Sequence, residues 1–444
     1  MRRRGIGLLA SLVFLGLGFA QTLTLWTTEE QPKRMEIQRQ IAAKFEAKTG
    51  IKVKVVPVTE NQLAERITAA YAAGQLPDLV FHPVDYTVGW ADQGILDTEA
   101  ATEVIRELGE GTFAKGALEL ATYKGNYTAV PTDGWTQLLL YRKDLFKAHT
   151  LAEPKTFAAI LAGIEALHDP PQMYGFVAAT DPSQVYFQQV FEHIALANGV
   201  RLVDEQGHIT LNTPQMVDTL KFYKKLAEAS PPGNLYWKQS RELYMAGKAA
   251  QIIWSPFILD ELAGLRNSVP VTAFKNPTTD ELAKRTGFVA RLVGPYNPKG
   301  ASYAQISYIG ITADADTAAA KKFVKFLLTD AYLDWLSMAP EGKFPVRRGT
   351  ATEPDRFVKG WSALKIGVDR KRPLGEIYPP EVVKKILAGL EVADRWGFKR
   401  GYGTLVAKLY GEKVIPKIVR RYLDGELTAE QAAAEMQRAV EALK

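Results

Sequence analysis

An α/β fold in two domains is the architecture this sequence predicts, and two observations carry it. Strand and helix patterns alternate with short connections near the start, and 444 residues exceed what one ordinary hydrophobic core organises. Leu23, Leu25 and Trp26 read as a short first strand. Residues 34–48 follow as an amphipathic helix, with Ile37, Ile41 and Phe45 on one face and Gly50 at its end. Ile51, Val53 and Val55 alternate as a second strand, and residues 61–73 form a helix ended by Gly74. Leu79, Val80 and Phe81 complete the series as a buried strand, so the sheet should be mostly parallel.

The middle of the chain predicts helices at 154–167, 184–197, 214–229 and 239–246, with a strand at 249–254. The span 263–300 reads as loop, punctuated by Pro270, Pro277, Pro295 and Pro298. A strand near 306–312 and a helix at 315–328 follow. The last hundred residues read as helical, and their final helix opens with the capping box Thr428-x-x-Gln431. No internal repeat or low-complexity tract interrupts the pattern.

Residues 1–20 form a different kind of segment. Arg2, Arg3 and Arg4 precede an apolar run from Ile6 to Phe19, and Gly18 and Ala20 supply the small residues of a cleavage site before Gln21. That is a secretory leader, too short to span a bilayer permanently. The chain has no Cys, which excludes disulfides, thiolate metal sites and a lipid anchor after the leader. No later stretch is long and apolar enough to cross a membrane. The formal charge of +6 is spread among interleaved acids and bases, so a nucleic-acid partner is not indicated. Eighteen Tyr and eight Trp are enough to line a sizeable ligand site.

Catalytic and metal motifs are sparse. The five histidines are scattered with no His-x-x-x-His pair, so no metal site or other cofactor is expected. The Gly109–Gly116 run lacks the Lys-Ser/Thr of a phosphate loop, and no Gly-x-Ser-x-Gly elbow occurs. A two-carboxylate glycosidase stays open, because 49 acids offer many pairs and none has a local signature.

Four segments in order resemble the periplasmic solute-binding proteins of carbohydrate ABC importers, most closely the maltose, maltodextrin and trehalose type. They are Leu23 to Glu30 with Ala43 to Val53; Gly74 to Asp85 with Gln93 to Leu96; Gly125 to Pro131 with Leu139 to Phe146; and Met245 to Ala250 with Trp254 to Phe257 and Ala319 to Thr329. Each is short, but their order and spacing extend over about 300 residues. The resemblance implies two α/β lobes around a hinged ligand cleft. Lobe one would take 21–131 plus 289–331, and lobe two 132–288 plus 332–444. It also implies a monomeric, non-enzymatic periplasmic protein that hands a di- or oligosaccharide to an inner-membrane ABC permease.

Binding a neutral sugar asks for carboxylates to accept hydroxyl protons and aromatic faces to cover the C–H face of the ring. Glu29 and Glu30, with Thr28, follow the first strand at its carboxyl end. The family carries an acid at the Glu30 position, and Asp85 coincides with a ligand-binding Asp. Tyr86 stands where maltodextrin binders have a basic residue, and His82 where the family has an aromatic. Trp135 takes the place of a family carboxylate, so either Asp133 replaces that acid or Trp135 turns the subsite into a stacking surface. Tyr186 matches a stacking pair with Phe187, while Trp237 and Phe257 align with aromatic contacts and Trp254 precedes Phe257. Arg347, Trp396 and Tyr402 are candidates from the poorly matched tail. Arg142 and Arg347 keep a rival ligand in view, glycerol phosphate or another polyol phosphate, which would want cations in the cleft.

Overall fold

The computed structural model describes residues 21–444, so the leader read in residues 1–20 lies outside the described residues. The chain begins β1 (Thr22–Thr27), α1 (Pro32–Thr49), β2 (Lys52–Pro57), α2 (Glu60–Ala72), β3 (Leu79–Pro83), α3 (Val84–Asp92) and α4 (Thr98–Leu108). In β1, Leu23, Leu25 and Thr27 are buried and alternate with less covered neighbours, the period of two that a half-covered strand requires. Pro32 opens α1, where a missing N–H costs nothing. Met35, Ile41, Ala42 and Phe45 form its buried stripe, and Gly50 ends it with φ 73°. Residues Leu79 to His82 of β3 are all buried, as befits a central strand covered on both faces.

Next come β4 (Val130–Thr136), β5 (Leu138–Arg142), α5 (Phe157–Leu167), α6 (Val185–Ala197), α7 (Pro214–Glu228), α8 (Trp237–Met245) and β6 (Gln251–Trp254). They lead to β7 (Thr286–Val289), β8 (Leu292–Gly294), β9 (Asn297–Ile311), α9 (Thr317–Leu327) and α10 (Tyr332–Leu336). The tail supplies α11 (Arg356–Ala363), α12 (Pro380–Leu387), α13 (Gly403–Glu412), α14 (Val414–Leu423) and α15 (Ala429–Leu443). The capping box at the start of α15 forms as read, with the Gln431 amide donating to the Thr428 hydroxyl and the Thr428 amide to the Gln431 side chain.

The larger sheet has seven strands. Its path is β8–β9–β3–β1–β2, and β4 and the short strand Ala393–Asp394 also pair with β9. β1 is parallel to β2 and β3, whereas β9 is antiparallel to both β3 and β4. β4 therefore runs with β1, β2 and β3, and the carboxyl ends of all four share one edge. The smaller sheet, β6–β5–β7, is antiparallel. Gln137 alone separates β4 from β5, so the chain steps from one sheet directly into the other.

One segment differs from its sequence reading. The span expected to be loop up to residue 300 contains β7, β8 and the start of β9. Pro295 sits in the hairpin between β8 and β9, and Pro298 lies at the outset of β9. A missing donor is tolerated at a strand's first residues, so these prolines punctuate a hairpin without breaking the strand. The tail helices matter because α13 packs on α3 and α15 packs on α7. Gly403 comes so close that a Cβ there would lie 2.5 Å from the Asp85 carbonyl oxygen, and only glycine fits.

Candidate ligand-binding site at the sheet edge

Open α/β sheets hold ligands beyond the carboxyl ends of their strands. At that edge β1 delivers Thr28, Glu29 and Glu30, β2 delivers Glu60, β3 delivers Asp85 and Tyr86, and β4 ends with Asp133 and Trp135.

Two of these acids are spent on one lysine. Lys343 is buried, and its Nζ lies 2.5 Å from Glu29 Oε1 and 3.1 Å from Asp133 Oδ1. Asp133 also accepts from Trp335 Nε1 at 2.7 Å and from the Thr132 hydroxyl at 2.9 Å. Glu29 takes a second cation, Arg34 Nη1, at 2.5 Å. Burial would raise the Glu29 pKa, but Lys343 and Arg34 outweigh it and hold the carboxyl below its ordinary range. Burial pulls Lys343 down, yet Asp133 and Glu29 together keep it above the usual lysine value. The group is neutral in sum and locked.

Around it the acids are less constrained. Glu30 is exposed, Thr28 is half-buried, and Asp85 is half-buried in the first turn of α3. Burial together with the charges of Asp85 and Glu29 raises the Glu60 pKa, which places Glu60 within their field. Burial, Asp85 and Glu60 likewise raise the Tyr86 hydroxyl. The Tyr86 ring stacks on Trp90 at 4.8 Å and 13°.

Asp85 is positioned from two other parts of the chain. Gln305 Nε2 donates to its Oδ2 at 3.0 Å, and the Gln305 oxygen accepts from Arg395 Nη1 at 2.6 Å. Arg395 is itself buried, 3.2 Å from Glu192 Oε1 and 4.4 Å from the Tyr303 ring centroid. Gln305 lies directly opposite Trp135 in the β4–β9 register, so the two side chains share one face. Sequence reasoning missed Glu60, Gln305, Lys343 and Arg395. Glu60 alone carried a usable signal, because it follows a strand as Glu29 and Asp85 do.

The aromatic candidates gather where the sheets meet. Trp254 ends β6 opposite Leu138, the first residue of β5. It stacks on Trp237 at 5.2 Å and 16°, both rings half-buried, and Arg241 lies over the Trp237 ring at 4.7 Å. The Phe257 ring, 37% exposed, rests on the backbone of Gly342, where a Cβ would fall 2.2 Å from it. That puts Phe257 one residue from Lys343. Trp135 is half-buried, 6.2 Å from Tyr303.

Other candidates have internal duties instead. Tyr186 is buried beneath Trp254, edge-on at 5.1 Å, and its hydroxyl donates to the Ile253 carbonyl at 2.5 Å; it supports a stacking face without presenting one. Asp133 is likewise enclosed, which leaves Trp135 as the residue of that pair with an open face. Arg347 is buried and committed to the carbonyls of Leu328 and Leu108 and the Thr112 hydroxyl, away from this group. Arg142 holds Asp144. Trp396 is buried with Nε1 on the Val200 carbonyl, and the Tyr402 hydroxyl lies against Gly207. From that stretch of the tail it is Arg395 that reaches the edge. His82 is buried between Trp90 and Tyr308, and burial pushes its pKa down to about 4, so it stays neutral. Among the described residues no cluster of His, Asp and Glu could hold a metal ion.

A second acid pair lies behind Trp237. Glu261 Oε1 is 2.8 Å from Arg241 Nη1, and Asp260 Oδ2 is 3.0 Å from Arg266 Nη2. Burial dominates at Glu261, partly offset by Arg241 and reinforced by Asp260, and its pKa rises to about 7. The folded protein therefore keeps a proton on Glu261 between the ordinary carboxylate range and pH 7, where the unfolded chain has lost it. Stability from this group falls as pH rises through 7. Glu261→Gln should match the parent at pH 5 but exceed it at pH 8, by up to about 3 kcal/mol, in urea denaturation. An equal or lower stability at pH 8 would mean that the charged pair with Arg241 outweighs burial.

An α/β protein with acids and flat aromatics where its two largest sheets meet has the makings of a solute binder. Comparison with known proteins agrees. Residues 40–364 match the family of bacterial extracellular solute-binding proteins, and the chain belongs to that family. It is 30% identical over 329 residues to the putative ABC transporter periplasmic-binding protein YcjN of Escherichia coli, covering 73% of this chain and 72% of that one. It is 25% identical over 229 residues to the maltotriose-binding protein of Pyrococcus abyssi, covering 51% and 48% of the two chains. Among solved structures, the sugar-binding protein MalE of Xanthomonas citri superposes with TM-score 0.71 at 18% identity, over 95% of this chain and 97% of that one. That likeness concerns the fold.

Proposed function

We propose that this chain is the capturing component of a carbohydrate ABC importer, holding a di- or oligosaccharide, an α-glycoside such as maltose or trehalose, at the edge between its sheets. The observation that carries the reading is the pairing of the Trp237–Trp254 wall and the Trp135 face with the acids Glu30, Glu60 and Asp85. Flat rings cover the apolar face of a pyranose, and a carboxylate accepting from a buried hydroxyl contributes roughly 1.5–3 kcal/mol. In this reading the protein works in the periplasm after its leader is cleaved, free of a lipid anchor and monomeric. It delivers its sugar to an inner-membrane permease without altering it. Lobe one comprises 21–131 with 289–331 and lobe two 132–288 with 332–444, and closure brings Trp254 toward Asp85. The segment 342–347 then acts as a strap from lobe two, since Lys343 bonds Glu29 of lobe one.

A thermal-shift screen of maltose, trehalose and maltotriose against glycerol 3-phosphate tests the ligand class. A glycoside at a hundredfold excess over its Kd should stabilise the fold by about 2.7 kcal/mol, a shift of several degrees. Chromogenic glycosides should be left intact. A shift with glycerol 3-phosphate and none with any sugar would overturn the ligand class, and turnover would make the protein a glycosidase.

A further inference from the structure

Away from the sheet edge the molecule contains a cavity of about 940 Å³ between α11, α12 and the segment around Pro345. Its size falls within the range of small-molecule pockets, roughly 300–1,000 Å³. None of the residues assembled at the sheet edge lines it. The stretch that walls it from Gly375 to Val392 lies beyond the residues matched by the family, while Arg291, Pro345, Val358 and Lys359 lie within them.

The lining does not suit a sugar. Pro345, Val358, Val383, Leu387 and Leu390 make the wall aliphatic. Tyr378 is its one aromatic, and the Tyr378 hydroxyl is committed to the Leu259 carbonyl at 2.6 Å. The Ser362 hydroxyl donates to the Val358 carbonyl at 2.9 Å, and Arg348 is tied to Glu391 and to the Gly111 carbonyl. Tyr378, Ser362 and Arg348 are therefore already committed, and what the lining has left for a ligand is charged.

Charge tells what fits instead. Arg291, Lys359 and Lys384 also line the cavity, all three are exposed, and none is in an ion pair among the described residues. One carboxylate in the lining, Asp355, is likewise without an ion pair. Three free cations against one free acid, around an aliphatic wall, are complementary to a molecule with an apolar chain and an anionic head.

We propose that this cavity binds a single-chain anionic amphiphile, with its hydrocarbon against Val383, Leu387 and Leu390 and its head among Arg291, Lys359 and Lys384. The site is independent of the carbohydrate reading.

Titration calorimetry of the mature protein with dodecanoate, below its micelle concentration, tests this directly. Dodecanoate should bind saturably, and dodecyltrimethylammonium, with the same chain and the opposite charge, at least tenfold more weakly. Lys359→Glu combined with Lys384→Glu should weaken dodecanoate at least tenfold, both positions being exposed and tolerant of the change. Val383→Trp should fill the cavity and abolish binding. If that variant fails to fold, Leu387→Trp, one turn further along α12 and half-buried, serves the same purpose. Absence of binding, equal binding of both head groups, or binding that survives in a folded cavity-filled variant would each overturn the proposal. Loss of the sugar response with dodecanoate binding intact would count against the sheet-edge reading and leave this one standing.

Discussion

Lys343→Met is expected to destabilise the fold by about 3–5 kcal/mol, because it leaves two enclosed carboxylates without their shared cation. Glu29 would retain Arg34, but Asp133 would keep only the neutral donors Trp335 and Thr132. Attraction lost from a buried pair is the smaller part of the cost; the desolvated charge left behind is the larger. The double change Asp133→Asn, Lys343→Met should accordingly recover much of the loss, since Glu29 keeps Arg34 and no charge is stranded. pH sharpens the test. Glu29 has its carboxyl held below the ordinary range, so its contribution is present above that range and fades as pH falls through the depressed value. The parent should therefore lose its advantage over Lys343→Met on acidification. Urea denaturation at pH 7 and pH 4 measures both effects, and a loss under 1 kcal/mol at pH 7 would show that the strap is not held by this lysine.

The second large effect is on binding. Trp254→Ala should reduce affinity for the glycoside identified by thermal shift about 30-fold or more, the loss typical of a central Trp anchor. Two ring contacts and one backbone pairing make this residue more than one wall of the site. Trp237 stacks on it, Tyr186 meets it edge-on, and its backbone pairs with Leu138 where the chain enters the smaller sheet. Truncation would remove the face and free Trp237 to reorient. Trp254→Phe should retain a good part of the affinity, since a flat ring remains over the same neighbours. Calorimetry on the two variants separates face from fold, with circular dichroism confirming that both are native. Affinity within twofold of the parent in both would take Trp254 out of the site.

What could be read from the sequence was decided by range. Glu29, Glu30 and Asp85 were legible because each follows a strand of the parallel series, and a parallel sheet puts its strand ends on one edge whatever the tertiary details. The alternation of Leu23 and Leu25 and the stop at Gly50 are local, and β1 and α1 formed where these signals lay. Lys343 and Arg395 carry no local sign of their partners. Lys343 meets Asp133 across 210 residues of sequence, and Arg395 meets Glu192 across 203. Gln305 needed the β4–β9 register, which no periodicity reveals. Tyr186 shows a different limit: its match to a stacking pair cannot say whether the ring meets a ligand or, as here, the underside of Trp254.

The neutral balance around Lys343 also governs how a solute arrives. With Glu29 and Asp133 cancelled by Lys343 and Arg34, the uncompensated charge at the sheet edge is that of Glu30, Glu60 and Asp85. It sits on a chain whose formal charge, +6 with the leader, is still +3 once Arg2, Arg3 and Arg4 are removed. The molecule as a whole attracts anions while this mouth turns them aside, within a screening distance of about 8 Å at physiological salt. On the proposed reading, selection would begin in the encounter, as a difference in arrival rate between neutral and phosphorylated solutes.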